Sequence, residues 1–485
     1  MSTIGLVDTT VRDGHQSLWS ANALTTAMIA AIAPTMDRVG FHAVDFTSST
    51  HMAMAVRWHH EDPWERIRVV AERMPQTPLR FITPGMRFMA WERAPLEVMR
   101  LALRCVIRNG IRHVWVAESM NDVRSALAIA QIAKDEGAEA VLVGLVYSIS
   151  PAHTDAYYAD RARAIEASPH VDVLNLKDPG GLLTPDRVRT LVPALRAAAP
   201  GLPLEVHSHQ TVAMGAPSYL EAARAGAAFL CTAAAPLANG TSQPSAEQTT
   251  ANLRSEGFEV DVDDEALAEM SRYFTDLATR LDRPVGRPLE YDATVFRHQL
   301  PGGMTSTLRR QLAEIGMEHR FDDVLAELPR VREDLGWPIM VTPLSQFVGV
   351  QAFLNVTTGD RWSQMPDEVI RYVLGQYGPP AAPLDPEVEA KVLASPRAES
   401  LAHEEHGLGL EAARARFGNK ISDEQLLLRM MLPEDQVDAI GSAPTQATPG
   451  PHLLRELVAA LAARDLAWLE IDAPDLRIRA RKTMA

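Results

Sequence analysis

Cysteine is nearly absent from this chain of 485 residues: Cys105 and Cys231 are the only two. Two distant thiols make neither a disulfide framework nor a zinc knuckle, and an intracellular, reducing setting is expected. Basic charge is in deficit, with Lys plus Arg at 47 against 62 for Asp plus Glu, a net of −15. Such a balance repels a phosphate backbone, so nucleic acid is not expected as a partner. No apolar run reaches the ~18 residues that a bilayer span requires. The opening MSTIGLVDTT lacks a basic stretch leading into an apolar one, so no leader and no membrane insertion are expected, and the chain is assigned to the cytoplasm. What the chain does have, 46% hydrophobic and 22% charged residues, is ordinary globular composition and excludes a mainly disordered or fibrous protein.

Short β-branched or apolar runs recur at Ile4–Val11, Ala43–Ser48, Leu79–Thr83, Val114–Glu118, Ala140–Val146, Val171–Lys177, Leu204–His209 and Phe229–Ala234. Amphipathic stretches such as Pro95–Arg108, Asp122–Asp135, Pro185–Ala198 and Ala216–Ala225 separate them. The alternation predicts an α/β fold, a (β/α)8 TIM barrel over residues 1–260, with chemistry at the C-terminal ends of the strands. A doubly wound sheet is the alternative, but no glycine-rich dinucleotide turn follows the first strand. From Asp261 to about 440 helical patterns dominate and predict a mainly helical C-terminal domain, a lid or funnel wall. Residues 441–451, GSAPTQATPGP, read as a linker. The 452–485 tail pairs an amphipathic helix (Leu453, Leu454, Leu457, Val458, Leu461) with a period-2 strand around Leu469 and Ile471, too short to hold a core alone. It is expected to dock on the helical domain or on a partner.

Candidate chemistry collects at predicted strand ends. His207 and His209, at i and i+2, direct two imidazoles to one side at a spacing suited to one metal ion, although such a pair is more often structural when read alone. Lys177 ends the sixth run; as an ammonium it repels metal, and Asp178 could pair with it. Asp8 to Ser17, DTTVRDGHQS, supplies two carboxylates, Arg12 and Gln16, or simply a capped turn. Residue types alone leave a divalent-metal barrel of unspecified chemistry.

The motifs go further. DTTVRDGHQSL, EDPWERIR (Glu61–Arg68), LNLKDPGGLLTP (Leu174–Pro185), LEVHSHQTVAMG (Leu204–Gly215), ANGTSQPSAE (Ala238–Glu247), HQLPGGM (His298–Met304) and VTPLSQFVG (Val341–Gly349) stand in this order. Together they resemble the carboxyltransferase component of biotin-dependent enzymes, the family of pyruvate carboxylase, the oxaloacetate decarboxylase α chain and the transcarboxylase central subunit. The resemblance implies a divalent metal (zinc, manganese or cobalt) on Asp13, Lys177, His207 and His209, with the lysine carbamylated and therefore anionic. It places Arg12 and Gln16 near the acceptor, and gives the Thr342 hydroxyl the relay of a proton between biotin N1 and the substrate carbon.

Several pocket positions depart from the family. Where pyruvate-type members carry LLRGAN-x-x-GY, this chain reads FITPGMRFMAW, with Pro84 at the arginine and Trp91 at the tyrosine; Arg87 is the candidate substitute, and Met86, Met89 and Trp91 make the wall more apolar. F-D-S-L-N becomes Ala117 to Asn121 with Glu118 at the acid, and HTHDT becomes His207 to Thr211 with Gln210 for the aspartate. These changes point to retained chemistry on pyruvate, oxaloacetate or a larger acceptor. No Met-Lys pair of the kind that carries biotin occurs, so biotin is expected in trans from a biotin carboxyl carrier subunit, charged by a biotin carboxylase subunit. The tail resembles the helix-plus-strand piece that precedes the carrier domain in some biotin carboxyl carrier proteins. A homo-oligomer, a dimer, is expected. The competing readings are a biotin-independent metal lyase of the related barrel group and a degenerate scaffold subunit.

Overall fold

The computed structural model describes residues 2–89, 93–300, 308–310, 312–314, 316–404 and 407–442, together with the backbone of two strands at 468–473 and 476–481. Trp91, the 301–304 part of the HQLPGGM motif, the 443–451 part of the linker and the tail helix expected around Leu453 lie outside these residues.

Eight parallel strands close into a barrel: β1 (Gly5–Asp8), β2 (Ala43–Ser48), β3 (Leu79–Thr83), β4 (His113–Val116), β5 (Ala140–Val146), β6 (Val173–Asp178), β7 (Leu204–Ser208) and β8 (Phe229–Thr232), in sequential order with β8 paired to β1. Helices cover the outer face of every strand, which is why the strands read as nearly continuous apolar runs. The first strand stops well short of Val11. The Asp8 carboxylate accepts from the Thr10 amide and hydroxyl, and Gly14 N donates to the Thr9 carbonyl, which turns Thr10–Gly14 into a wide helical turn. That turn carries Arg12 and Asp13 inward across the barrel mouth instead of extending the strand.

Charge is layered within the barrel. Arg80 on β3 and Glu205 on β7, both fully buried, form a bidentate pair at 2.7 and 2.9 Å. Asn175 on β6 donates to the same glutamate at 2.9 Å. Two residues further along β6 and β7 come Lys177 and His207, on the same strand faces and one layer nearer the mouth.

The boundary drawn at residue 260 does not follow the hydrophobic core. The helix Asp264–Arg280 buries Leu267, Met270, Phe274 and Leu277 in the barrel's own cluster, and the 410–438 helices return to it through Ala413, Leu426, Leu427 and Leu428. A second core is built from residues between Leu300 and Leu401, and Met120 and Val146 at the barrel mouth join it. The covering layer therefore packs directly onto the mouth. At the C-terminus, β9 (Trp468–Ala473) and β10 (Leu476–Arg481) pair antiparallel as a hairpin. Among the described residues no helix is long and apolar enough to cross a membrane.

Candidate functional site

Asp13 arrives on the turn after β1, His207 within β7 and His209 immediately past it. Asp13 Oδ2 lies 3.0 Å from His207 Nε2 and 3.3 Å from His209 Nε2, and the two Nε2 atoms are 3.3 Å apart. All three residues are buried, and together they could hold a metal ion. His209 Nδ1 donates to the Thr241 carbonyl at 2.6 Å, which turns Nε2 toward Asp13. Burial pushes His207 down to about 3, so its imidazole is neutral and has a lone pair to give. Burial also opposes charge on Asp13, yet the positive charge of Arg12 and the contacts of Oδ2 with both imidazoles outweigh it and hold the carboxyl well below its usual range. An ionised carboxylate converging with two imidazoles suits a divalent cation of the zinc, manganese or cobalt kind.

Lys177 is the register partner of His207 across the β6–β7 ladder. Its nitrogen sits 4.8 Å from the Trp115 ring centroid, and burial, then the charge of Arg12, lower it to about 8. Asp178 is not its partner. Adjacent strand residues face opposite ways, and the Asp178 carboxylate accepts instead from Leu182 N at 2.9 Å, Leu183 N at 2.8 Å and Ser208 Oγ at 2.7 Å.

A cavity of about 460 Å³ opens over this cluster, and Arg12, Asp13, Gln16, Lys177, His209 and Thr342 all line it. Thr342 comes from the covering layer, just before the helix Leu344–Thr358. Arg12 is held rigidly, donating through Nε to Asp45 at 2.7 Å, with Asp13 3.3 Å away and the Trp115 ring at 5.9 Å. Arg12 and Lys177 are the cations among the residues lining the cavity.

Arg87 and Glu118, expected to touch substrate, do not line it. Glu118 Oε2 accepts from Met120 N at 2.9 Å and Asp122 N at 2.7 Å, closing its own loop, and burial raises it to about 7. The Arg87 guanidinium lies over the Tyr377 ring at 5.0 Å. Met86 and Met89 likewise pack with the barrel core, so the apolar part of the wall is made by Ile82, Pro84, Ala117, Val146, Pro179 and Val341.

Gln243 was given no role by the motifs, although it stands within the ANGTSQPSAE block. It is fully buried, its side-chain amide touches Asp13, His207 and His209, and its other end meets Thr9 Oγ1 at 2.8 Å. A glutamine in a loop carries no local signal, and only the closure of β8 onto β1 brings it here.

Comparison with known proteins gives the same picture for both parts of the chain. The family described as HMGL-like matches residues 3–273, and the one described as a conserved carboxylase domain matches residues 295–450. A pyruvate carboxylase subunit of Methanocaldococcus jannaschii is 38% identical over 393 residues, covering 80% of this chain and 68% of that protein. The 2-oxoglutarate carboxylase large subunit of Hydrogenobacter thermophilus is 31% identical over 442 residues, 89% of this chain and 67% of that one. The carboxyl transferase domain of Rhizobium etli pyruvate carboxylase, solved with oxamate and biotin, superposes with a TM-score of 0.81 at 25% identity, covering 93% of this chain and 80% of the other. With both parts of the chain matched, the chain belongs to the carboxyltransferase family of biotin-dependent carboxylases.

Proposed function

We propose that this chain is a carboxyltransferase subunit that moves CO2 between biotin, presented by a separate carrier, and a small carbonyl acceptor, a 2-oxo acid or a related larger molecule. Biotin carboxyl carrier and biotin carboxylase subunits complete the assembly, with this chain as a dimer. Buried free thiols at Cys105 and Cys231 are in keeping with the reducing cytoplasm. Asp13, His207, His209 and a carbamylated Lys177 would hold the metal, which supplies Lewis acidity toward the acceptor carbonyl. The uncharged Lys177 amine forms the carbamate by attacking CO2: an N–C bond is made and one proton leaves to solvent. Arg12, fixed by Asp45, presents positive charge where the acceptor becomes enolate-like. Residues 261–440, in the same reading, form the wall that keeps the cavity dry.

One observation carries the reading: Thr342, from the covering layer, lines the same cavity as Asp13, Lys177 and His209. A proton passing between biotin N1 and the acceptor carbon then has a hydroxyl to travel through. A simple lyase of the HMGL-like kind needs no such residue. In the complex with the native carrier, Thr342→Ala is expected to slow transfer about 10²- to 10⁴-fold, with acceptor binding and melting temperature unchanged. Near-wild-type turnover would assign the relay to another group, and no transfer by the wild type with its biotinylated carrier would overturn the function.

A further inference from the structure

Arg332 is a buried cation that no carboxylate answers. It stands near the end of the covering helix Phe321–Asp334, is 1% exposed, and among the described residues no acidic side chain pairs with it. Burial lowers it to about 10, so it keeps its charge near neutral pH. Burying an ion without a counter-charge is costly, and a methionine would fill the same space without that cost. The use of the guanidinium therefore lies in where its fork of donors points.

Those donors reach two separate parts of the molecule. Nε donates to the Pro338 carbonyl at 3.2 Å, Nη2 donates to Ser148 Oγ at 2.9 Å, and Nη1 and Nη2 each lie 3.3 Å from the Ile149 carbonyl. Ser148 and Ile149 belong to the loop that leaves β5. Gln299 fixes the same loop: its Oε1 accepts from Ser148 Oγ and from Ile149 N, each at 3.1 Å, and its Nε2 donates to the Ile149 carbonyl at 2.7 Å. Just before them, Val146 lines the cavity and Tyr147 N donates to the Lys177 carbonyl at 2.7 Å. On the other side, Gly336 at φ +68° and Trp337 at φ +63° end the helix, with Trp337 N closing onto the Arg332 carbonyl at 2.7 Å. That turn brings Pro338 back to the guanidinium. Thr342 follows on the same segment, after Ile339 and Met340 have entered the second core. Apolar burial holds such a segment down without fixing its position, whereas directed hydrogen bonds fix it.

We propose that Arg332 is a positioning residue for the transfer reaction: by binding Pro338 and the Ser148–Ile149 loop at once, it holds the Thr342 hydroxyl in place over the barrel residues of the site. The proposal rests on the relay given to Thr342 under the proposed function. Arg332 is not among the residues lining the cavity, so it acts through Thr342 and not on the acceptor.

The test measures carboxyl transfer by the full-length protein from its native biotinylated carrier, with pyruvate and 2-oxoglutarate as acceptors and melting temperatures recorded alongside. Arg332→Met keeps the stem and loses the donors. Since misplacing a reacting group by about 1 Å can cost about 100-fold, it is expected to lower kcat by about 10- to 100-fold and to leave the acceptor KM within about twofold. Added to Thr342→Ala, the same substitution should change kcat by less than about twofold, because the hydroxyl it serves is already gone. An equal fall in both backgrounds would overturn the proposal, since a merely structural role adds to the loss of Thr342. Near-wild-type turnover by Arg332→Met would overturn it as well. Should Arg332→Met fail to fold, Arg332→Lys decides by the same comparison, because a single ammonium does not reproduce the planar fork that spans Pro338 and Ile149. A wild type that transfers nothing would overturn the proposed function itself, and a Thr342→Ala variant as fast as wild type would withdraw the relay from Thr342 and this proposal with it.

Discussion

Lys177 and His207 stand opposite each other in the β6–β7 register, and Trp115 underlies both, 4.8 Å from the lysine nitrogen and 5.3 Å from the imidazole. An ammonium in that position would face the candidate metal cluster with the wrong charge. Since burial and Arg12 bring Lys177 to about 8, a share of the amine is uncharged near neutral pH and open to CO2. Native mass spectrometry in bicarbonate is expected to show an adduct of one CO2 on the wild type and none on Lys177→Arg, whose side chain stays protonated. An unmodified wild type at saturating bicarbonate would exclude the carbamate.

The layer beneath the site depends on Arg80 and Glu205, each with no exposure to solvent. Removing one partner leaves a buried uncompensated charge, so Arg80→Met should cost about 3–5 kcal/mol of stability. The double variant Arg80→Met/Glu205→Gln, in which no such charge remains, should recover part of that loss. Urea denaturation of the three proteins measures both, and a double variant no more stable than the single one would contradict the charge argument.

Glu118 makes stability depend on pH with a definite sign. Burial raises it from 4.5 to about 7, against the pull of two backbone amides and Arg87, so the folded chain holds the proton more tightly than the unfolded one. Its contribution is fully present below about 4.5 and is lost as pH rises through about 7. The Glu118→Gln variant, which cannot ionise, should therefore gain on the wild type across this window, by on the order of 3 kcal/mol, and the gain should level off above it. Melting curves that stay parallel from pH 4.5 to pH 8 would show that ionised Glu118 is accommodated without cost.

Acceptor choice is expected to follow Pro84, which lines the cavity, and not Arg87, which lies over Tyr377. Arg87→Ala should leave the KM for pyruvate within about twofold, while Pro84→Arg, supplying a charge-assisted partner for a carboxylate, should lower it by about 10-fold or more. Steady-state transfer with the native biotin carrier decides. A large rise in KM in Arg87→Ala would mean that the guanidinium leaves Tyr377 when substrate binds.

Met86, Arg87 and Met89, expected along the cavity wall and absent from it, share one loop. Gly85 at φ +89° and Met89 at φ +55° turn the chain after β3, so Met86 and Met89 fall into the barrel core and Arg87 points to the covering layer. Counting positions along a motif assumes that loop residues follow one another down the wall, and two left-handed turns break that assumption. The positions of the two histidines were legible for the opposite reason. His207 and His209 lie on a strand and just beyond its end, where direction alternates strictly.

By itself the sequence determined the class of fold, eight strand–helix repeats and their order, because period and turn chemistry are local properties written into each segment. It also placed the two histidines and Lys177 at strand ends, whereas Asp13 stands on a turn beyond a first strand shorter than expected. Tertiary structure alone decided that Thr342 would reach a cavity built on the barrel, that the helices after residue 410 would return to the barrel core, and that Gln243 would meet Asp13. The physical reason is closure: β8 pairs with β1 and the covering layer packs over the mouth. Contacts between residues hundreds of positions apart come from burying two cores against each other, and no periodicity within a segment encodes them.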